Sequence, residues 1–347
     1  MSPYVLTVVA ISLLMGTSLT LISNHWLMAW MGLEINTLAI IPLMTSSHHS
    51  RSTESAIKYF MTQATASMII MFSIIYNASM TNQWNMAPIW NQWASLPMTI
   101  ALAMKLGLAP FHFWVPEVIQ GVPLVSGMLL LTWQKIAPIS ILYQISPSLN
   151  MPLLITLSIM STILGGWGGL NQTHLRKILA YSSIAHMGWM VIIILIMPPL
   201  TLLNLLIYFT ATITLFMLFN FTSVTKINSL SNLWSKSPTL MTILTMTLLS
   251  LGGLPPLSGF MPKWLILNEL ITYNNTFMAT IMALSALLNL FFYMRIIYTS
   301  TLTMFPSTYN SKLHWTMTSK KPSYAIPSLT IISSLLLPLT PMFTILI

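Results

Sequence analysis

Apolar residues fill this chain in long runs, and the polar positions fall in short clusters between them. A helix that crosses a bilayer needs about 20 largely apolar residues. By that measure the pattern predicts eleven spans, at approximately 3–22, 26–45, 56–77, 95–111, 122–143, 150–170, 175–197, 199–222, 238–271, 276–300 and 324–346. Two of them do not read as simple rods. The fourth leads through Pro110 into the amphipathic stretch His112–Gln120. The ninth is too long and carries Gly252, Gly253, Pro255, Pro256, Gly259 and Pro262 in its middle. Helix breakers at that density free backbone carbonyls that neighbours or water must satisfy. Both are expected to be discontinuous helices.

The polar clusters carry a topology. With the N-terminus on one side, the loops of that side hold Arg51 and Lys58, Arg176 and Lys177, Lys226 and Lys236, and Lys312, Lys320 and Lys321. The opposite loops hold almost no charge except Glu269, near a helix end. The positive-inside rule makes the basic side the cytoplasmic or matrix face. The N-terminus is therefore expected inside and the C-terminus outside.

Two pairs of segments repeat. Gly107-Leu108-Ala109-Pro110, with Pro116 beyond, aligns with Gly253-Leu254-Pro255-Pro256 and Pro262; Met31-Gly32 with Pro42 aligns with Met187-Gly188 and Pro198. Both pairs relate spans five apart. An odd offset reverses direction through the membrane, so the pattern predicts an inverted repeat. The first half is residues 1–145, spans 1–5, broken near 107–120. The second is 146–303, spans 6–10, broken near 252–263. Residues 304–347 add a loop and a C-terminal transmembrane helix. Inverted repeats with one broken helix in each half are the architecture of ion-coupled transporters. The expected class is an all-α polytopic membrane protein.

Composition supports this reading. Of 347 residues, 55% are hydrophobic and only 5% charged, against roughly 25% charged in a soluble domain. The net charge of +9 is scattered between apolar runs, so it argues for topology and not for nucleic acid. There is no cysteine to build a disulfide or a thiolate metal site. The 28 methionines suit the biased codon usage of a mitochondrially encoded chain.

Against that background a few charges stand where hydrocarbon is expected. Glu34 falls in the middle of span 2, Lys105 just before the break of span 4, Lys135 deep in span 5, and Lys263 immediately after the Pro/Gly cluster of span 9. Each charge at bilayer centre costs at least about 2.5–3.5 kcal/mol, and such residues usually face a partner or a wet cavity. Lys58 and Arg295 lie near span ends, where snorkelling to the headgroups is the plainer reading. Burial favours a neutral amine and a nearby carboxylate favours ammonium, whereas guanidinium hardly deprotonates. Buried Lys beside Glu thus suits proton movement. Thr132, Gln134, Ser182 and Ser183 are candidates to bridge the gaps, and His112 and His186 are candidate relays or hydrogen-bonded core residues. His25, His48, His49, His174 and His314 fall in loops and receive no role. No cluster has metal-ligand spacing.

Three runs carry a resemblance. They extend from Lys105 to Glu117 (KLGLAPFHFWVPE), from Asn171 to Gly188 (NQTHLRKILAYSSIAHMG), and from Gly252 to Lys263 (GGLPPLSGFMPK). With the Glu34 helix they resemble the antiporter-like subunits of respiratory complex I over essentially the whole chain. The resemblance implies an antiporter-like fold with two inverted five-helix repeats. It implies Glu34 and Lys105 as the first-half Glu/Lys pair, Lys135 as the central lysine and Lys263 as the lysine of the second broken helix. It also implies proton pumping driven by NADH:ubiquinone electron transfer elsewhere. NAD, FMN, iron–sulfur clusters and ubiquinone would belong to other subunits, with no cofactor in this chain. Its partners would be neighbouring antiporter-like and small membrane subunits and phospholipid, in a hetero-oligomer of the mitochondrial inner membrane. Matrix and intermembrane space would then be the sides of the N- and C-termini.

Two departures stand out. Many family members carry an Asp just before the basic pair of the second run, where this chain has Thr173-His174. The repeat counterpart of Glu34 is Met190, so the second half lacks an equivalent carboxylate. Two other readings remain open at this level: a stand-alone cation/proton antiporter subunit, and a structural scaffold with incidental lysines.

Overall fold

The computed structural model describes residues 2–86, 92–302 and 325–339. Among them every regular element is helical. The chain divides into two compact units, one of Met1–Ser161 with Val191–Pro198 and one of Thr162–Met190 with Pro199–Ile347.

The first unit opens with α1 (Pro3–Ile22) and α2 (Trp26–Met44), which pack closely because small residues face each other. A Cβ built on Gly32 would stand 2.8 Å from the Gly16 carbonyl oxygen and 2.7 Å from Thr20. In hydrocarbon, where lipid is as apolar as leucine, such close approach and interhelical hydrogen bonds hold helices together. Asn36 supplies one: its amide donates to the Leu13 carbonyl at 3.0 Å and accepts from the Thr17 amide at 3.2 Å. The long α3 (Ser50–Thr81) follows, and α2 ties to it where the Trp30 indole N–H donates to the Ser67 carbonyl.

The fourth expected span is broken. It comprises α4 (Gln92–Leu106) and α5 (Trp114–Gly121). The helix stops at Gly107, φ +74°, while the Leu108 amide donates back to the Ala103 carbonyl at 2.9 Å. This is a Schellman end, with glycine in the left-handed region and a leucine after it. The Trp114 indole N–H then donates to the Met104 carbonyl, one of the acceptors the break sets free.

The fifth expected span is not the single rod that its apolar run suggests. It divides into α6 (Leu124–Leu131) and α7 (Trp133–Ile145), with Thr132 between them at φ −114°, ψ −75°. Thr132 hydrogen-bonds back to Met128 through both its amide and its hydroxyl, and the Lys135 amide turns to the Thr132 carbonyl. No glycine or proline marks this break.

The second unit takes in the later part of α8 (Met151–Gly169) and most of α9 (Leu175–Ile194), then α10 (Pro198–Thr222), α11 (Ile227–Lys236), α12 (Pro238–Gly252), α13 (Phe260–Thr272), α14 (Thr276–Thr301) and α15 (Ala325–Leu335). The ninth expected span is thus the broken pair α12/α13. Its first half ends as α4 does: Gly253 sits at φ +83° and the Leu254 amide reaches back to the Leu249 carbonyl. The stretch expected to be a plain loop before it contains α11. Among the described residues, eight helical stretches, the expected spans other than the fourth, ninth and eleventh and with α6 and α7 taken as one, are long and apolar enough to cross a membrane. The loop from 304, with Lys312, Lys320 and Lys321, lies outside the described residues.

Each unit also carries one isolated β-bridge, His25 with Asn85 and His174 with Lys226. The first joins the turn before α2 to the turn after α3, and the second the turn before α9 to the turn after α10. His25 has a further structural role that its loop position concealed. Its Nδ1 accepts from the Leu27 amide at the start of α2, and its ring stacks on Trp84.

The glycine contact between α1 and α2 gives a first prediction. Gly32→Val drives side-chain carbon into the Gly16 backbone, which has no flexible tip to move aside. Overpacking of this kind costs about 1–3 kcal/mol, so the detergent-solubilised protein should show a lower thermal unfolding midpoint.

Candidate functional site

The three sequence-predicted lysines are all buried, with 7%, 6% and 8% of their surface exposed at Lys105, Lys135 and Lys263. Each lies at a helix break, where the backbone itself offers polar atoms. None has two turns of regular helix on both sides: Lys105 is in the last turn of α4, and Lys135 is the third residue of α7.

In the first unit, Lys105 and Lys135 line one internal cavity of about 20 Å³, together with Asn36, Thr37, Gln63 and Gln134. That volume is room for about one water molecule. Glu34 on α2 is half-buried and close enough to interact electrostatically with Lys105, without a hydrogen bond to its ammonium. Thr37, one turn further on, donates its hydroxyl to the Glu34 main-chain oxygen at 2.8 Å, with the carboxylate Oε2 at 3.4 Å. Gln134 donates to the Asn36 carbonyl at 3.2 Å, which fixes the start of the Lys135 helix against the Glu34 helix. The structure therefore brings Lys105 and Lys135 together at one cavity, with Glu34 in electrostatic range of Lys105.

His112 does not line this cavity. Its ring packs on Phe113 with centroids 4.4 Å apart and hydrogen-bonds the Pro110 backbone within the same turn.

In the second unit, Lys263 reaches from α13 to the end of α12. Its ammonium donates to the Leu251 and Gly252 carbonyls at 3.1 and 2.9 Å. These belong to the last carbonyls of a helix, which lack intrahelical donors and sit at the negative end of its dipole. Gly253 makes room for this: a Cβ there would stand 2.9 Å from Nζ. His186 lies on the other side of the same break, lining a cavity of about 10 Å³ with Asn204, Tyr208, Ser250 and Pro262. Its ring contacts Tyr208 at 5.2 Å. Ser183 of the same helix stands in hydrogen-bonding reach of Tyr208, and Ser182 lies near Tyr293.

Two charges read as snorkelling do something else. Lys58 forms ion pairs with Glu54 at 2.6 Å and Glu117 at 2.8 Å, linking α3 to α5. Arg295 donates to the Leu170 and Gln172 carbonyls just past the end of α8. Sequence reasoning also missed Gln63, a buried glutamine in the long third span. Its polarity within an apolar run was the available signal.

Lysines at helix breaks, one facing a carboxylate, in a polytopic helical protein define an antiporter-like membrane subunit. The chain belongs to the family described as NADH:quinone oxidoreductase/Mrp antiporter, transmembrane, which it matches over residues 23–289. Residues 290–344 match a second description, NADH dehydrogenase subunit 2 C-terminus. The chain is 75% identical over 343 residues to NADH-ubiquinone oxidoreductase chain 2 of Metachirus nudicaudatus, with 99% of each chain covered. To the protein of that name from Bos taurus it is 53% identical over 346 residues, covering 100% of both. Among solved structures, a chain of respiratory complex I from Thermus thermophilus with bound Aureothin superposes with a TM-score of 0.81 at 24% identity, over 95% of this chain and 78% of that one. A chain of the Mrp complex from Dietzia gives 0.79 at 18% identity, over 86% and 61%. These two likenesses show the fold.

Gly253 tests the lysine cradle of the second unit. Gly253→Ala combines a left-handed backbone with a methyl against Nζ, and such strain costs about 1–3 kcal/mol. Gly252→Ala meets mainly the flexible tip of Leu290, at 2.9 Å, and should cost less. Thermal midpoints of the two variants should rank in that order.

Proposed function

We propose that this chain is a proton-translocating, antiporter-like core subunit of respiratory complex I. The observation that carries the reading is the cavity shared by Lys105 and Lys135, with Glu34 in electrostatic range of Lys105. Full-length relatives named NADH-ubiquinone oxidoreductase chain 2 support the assignment to that complex.

In this role Glu34, Lys105, Lys135 and Lys263 exchange protons through water and side chains, and His186 is a relay candidate beside the second break. His112, held within its own turn, is the weaker of the two histidine candidates. The energy comes from electron transfer between NADH and ubiquinone in other subunits, which hold the NAD, FMN, iron–sulfur and ubiquinone sites. This chain acts as a non-redox part of the translocase. Its setting is a hetero-oligomer with neighbouring membrane subunits and phospholipid in the mitochondrial inner membrane. Eleven crossings put the N-terminus on the matrix side and the C-terminus in the intermembrane space. The two glycine-ended breaks and the two β-bridges support the division into inverted halves at 1–145 and 146–303.

Lys105→Ala, Lys135→Ala and Lys263→Ala test the reading in the assembled complex. A positioned acid–base group contributes about a hundredfold or more, so coupled proton pumping should fall on that scale while the complex still assembles. Lys105→Arg should not restore it, because guanidinium keeps its proton. Normal pumping in all three alanine variants would leave the scaffold reading standing. Sodium-dependent transport by the isolated chain would favour the antiporter.

A further inference from the structure

The cavity of the first unit contains an imbalance. Two of its lining groups are hydrogen-bond donors with no acceptor among the described residues: the Lys105 Nζ and the Gln63 Nε2. Both side chains are more than nine-tenths buried, Gln63 with 4% exposure. A buried donor left unsatisfied costs about 1–3 kcal/mol, more when it is charged. Two donors cannot satisfy one another; an oxygen with two lone pairs between them satisfies both. The cavity volume of about 20 Å³ admits one water and little more.

We propose that Gln63 is a positioning residue that holds a single water against Lys105, and that this water with the Thr37 hydroxyl joins Lys105 to Glu34. The inference rests on the proton-translocating role stated above and assigns its first-half connection. The water oxygen accepts from Lys105 and Gln63, and one of its hydrogens is donated to Thr37 Oγ1. Thr37 is suited to this because its own proton already faces the Glu34 main-chain oxygen and Oε2. Its lone pairs are left for a donor on the cavity side.

The proton step balances. A proton leaves the Lys105 ammonium for the water oxygen, one of the water's protons passes to Thr37 Oγ1, and the Thr37 proton passes to Glu34 Oε2. The products are a neutral amine and a neutral carboxyl, with the water restored and no electron transferred. Glu34 and Lys105 thereby communicate without touching, as the structure requires. Gln134 and Lys135 line the same space, so the water lies beside the central lysine as well.

The experiment uses the assembled complex reconstituted in liposomes, with NADH oxidation and proton uptake measured together. Gln63→Leu removes the donor at similar volume and should lower proton pumping about tenfold, the scale on which one lost hydrogen bond acts on a barrier. Gln63→His, which keeps a donor, should restore most of it, and Thr37→Val should reproduce the loss. A high-resolution map of the unsubstituted complex should show a water oxygen within hydrogen-bonding distance of both Lys105 Nζ and Gln63 Nε2. Normal pumping in Gln63→Leu, or a map in which Lys105 contacts Gln63 directly, overturns the proposal. Lys105→Ala run in parallel separates the two ideas. If it loses pumping while Gln63→Leu does not, the water assignment fails and the translocation reading stands; if neither loses pumping, both fail.

Discussion

Hydrocarbon offers no hydrogen bonds, so every polar atom placed in it must find its partner within the protein. Much of this fold is an answer to that constraint. Serines and threonines along the helices return their hydroxyls to carbonyls three or four residues back, as Ser182 and Ser183 do. Asn36 is consumed by the backbone of α1. At the breaks the need is greater, because whole turns of carbonyl are released. Trp114 answers it at the end of α4, Lys263 at the end of α12, and Arg295 just past the end of α8. Cations take the last two places because the end of a helix presents a negative dipole.

The same constraint explains what could be read from the sequence. The long helices were legible because spanning demands length, and length shows as an uninterrupted apolar run. The break of the fourth span was legible at Pro110 and that of the ninth in its Gly/Pro cluster, and in each the first half-helix ends on a glycine of positive φ. The break at Thr132 was not, since φ there is negative and asks for no glycine, and the hydroxyl that bonds back to Met128 leaves no pattern. Conversely Pro138 and Pro42 lie inside continuous helices, so proline alone was not a sign of interruption. The short α11 was hidden because ten residues between two spans read as a loop.

The site was legible in part, and the missing parts share a cause. Buried charge is conspicuous in a chain that is 5% charged, so Glu34, Lys105, Lys135 and Lys263 declared themselves. Their partners did not. The acceptors of Lys263 are backbone carbonyls, which every residue has. The acids that bind Lys58 lie four residues away at Glu54 and fifty-nine away at Glu117. Only the folded chain brings the second into contact, and only it turns a snorkelling lysine into an ion pair. Gln63 is neutral, so a search for charge passed over it.

The two broken helices use one backbone device and two placements of lysine. Both first half-helices end on a glycine of positive φ, yet Lys105 precedes its glycine and Lys263 follows its own. The consequence is mechanical. Lys263 comes from the second half-helix and bonds the end of the first, so its ammonium is anchored by two carbonyls and bridges the break. Lys105 belongs to the half-helix that ends at the break, and its ammonium lines a cavity with no acceptor for it among the described residues. One lysine is fixed by helix ends, and the other is positioned only by the field of Glu34 and by what the cavity holds. Met190 stands where the sequence repeat would put a counterpart of Glu34; Lys263 draws its acceptors from backbone carbonyls, whereas Glu34 acts on Lys105 electrostatically, without a hydrogen bond.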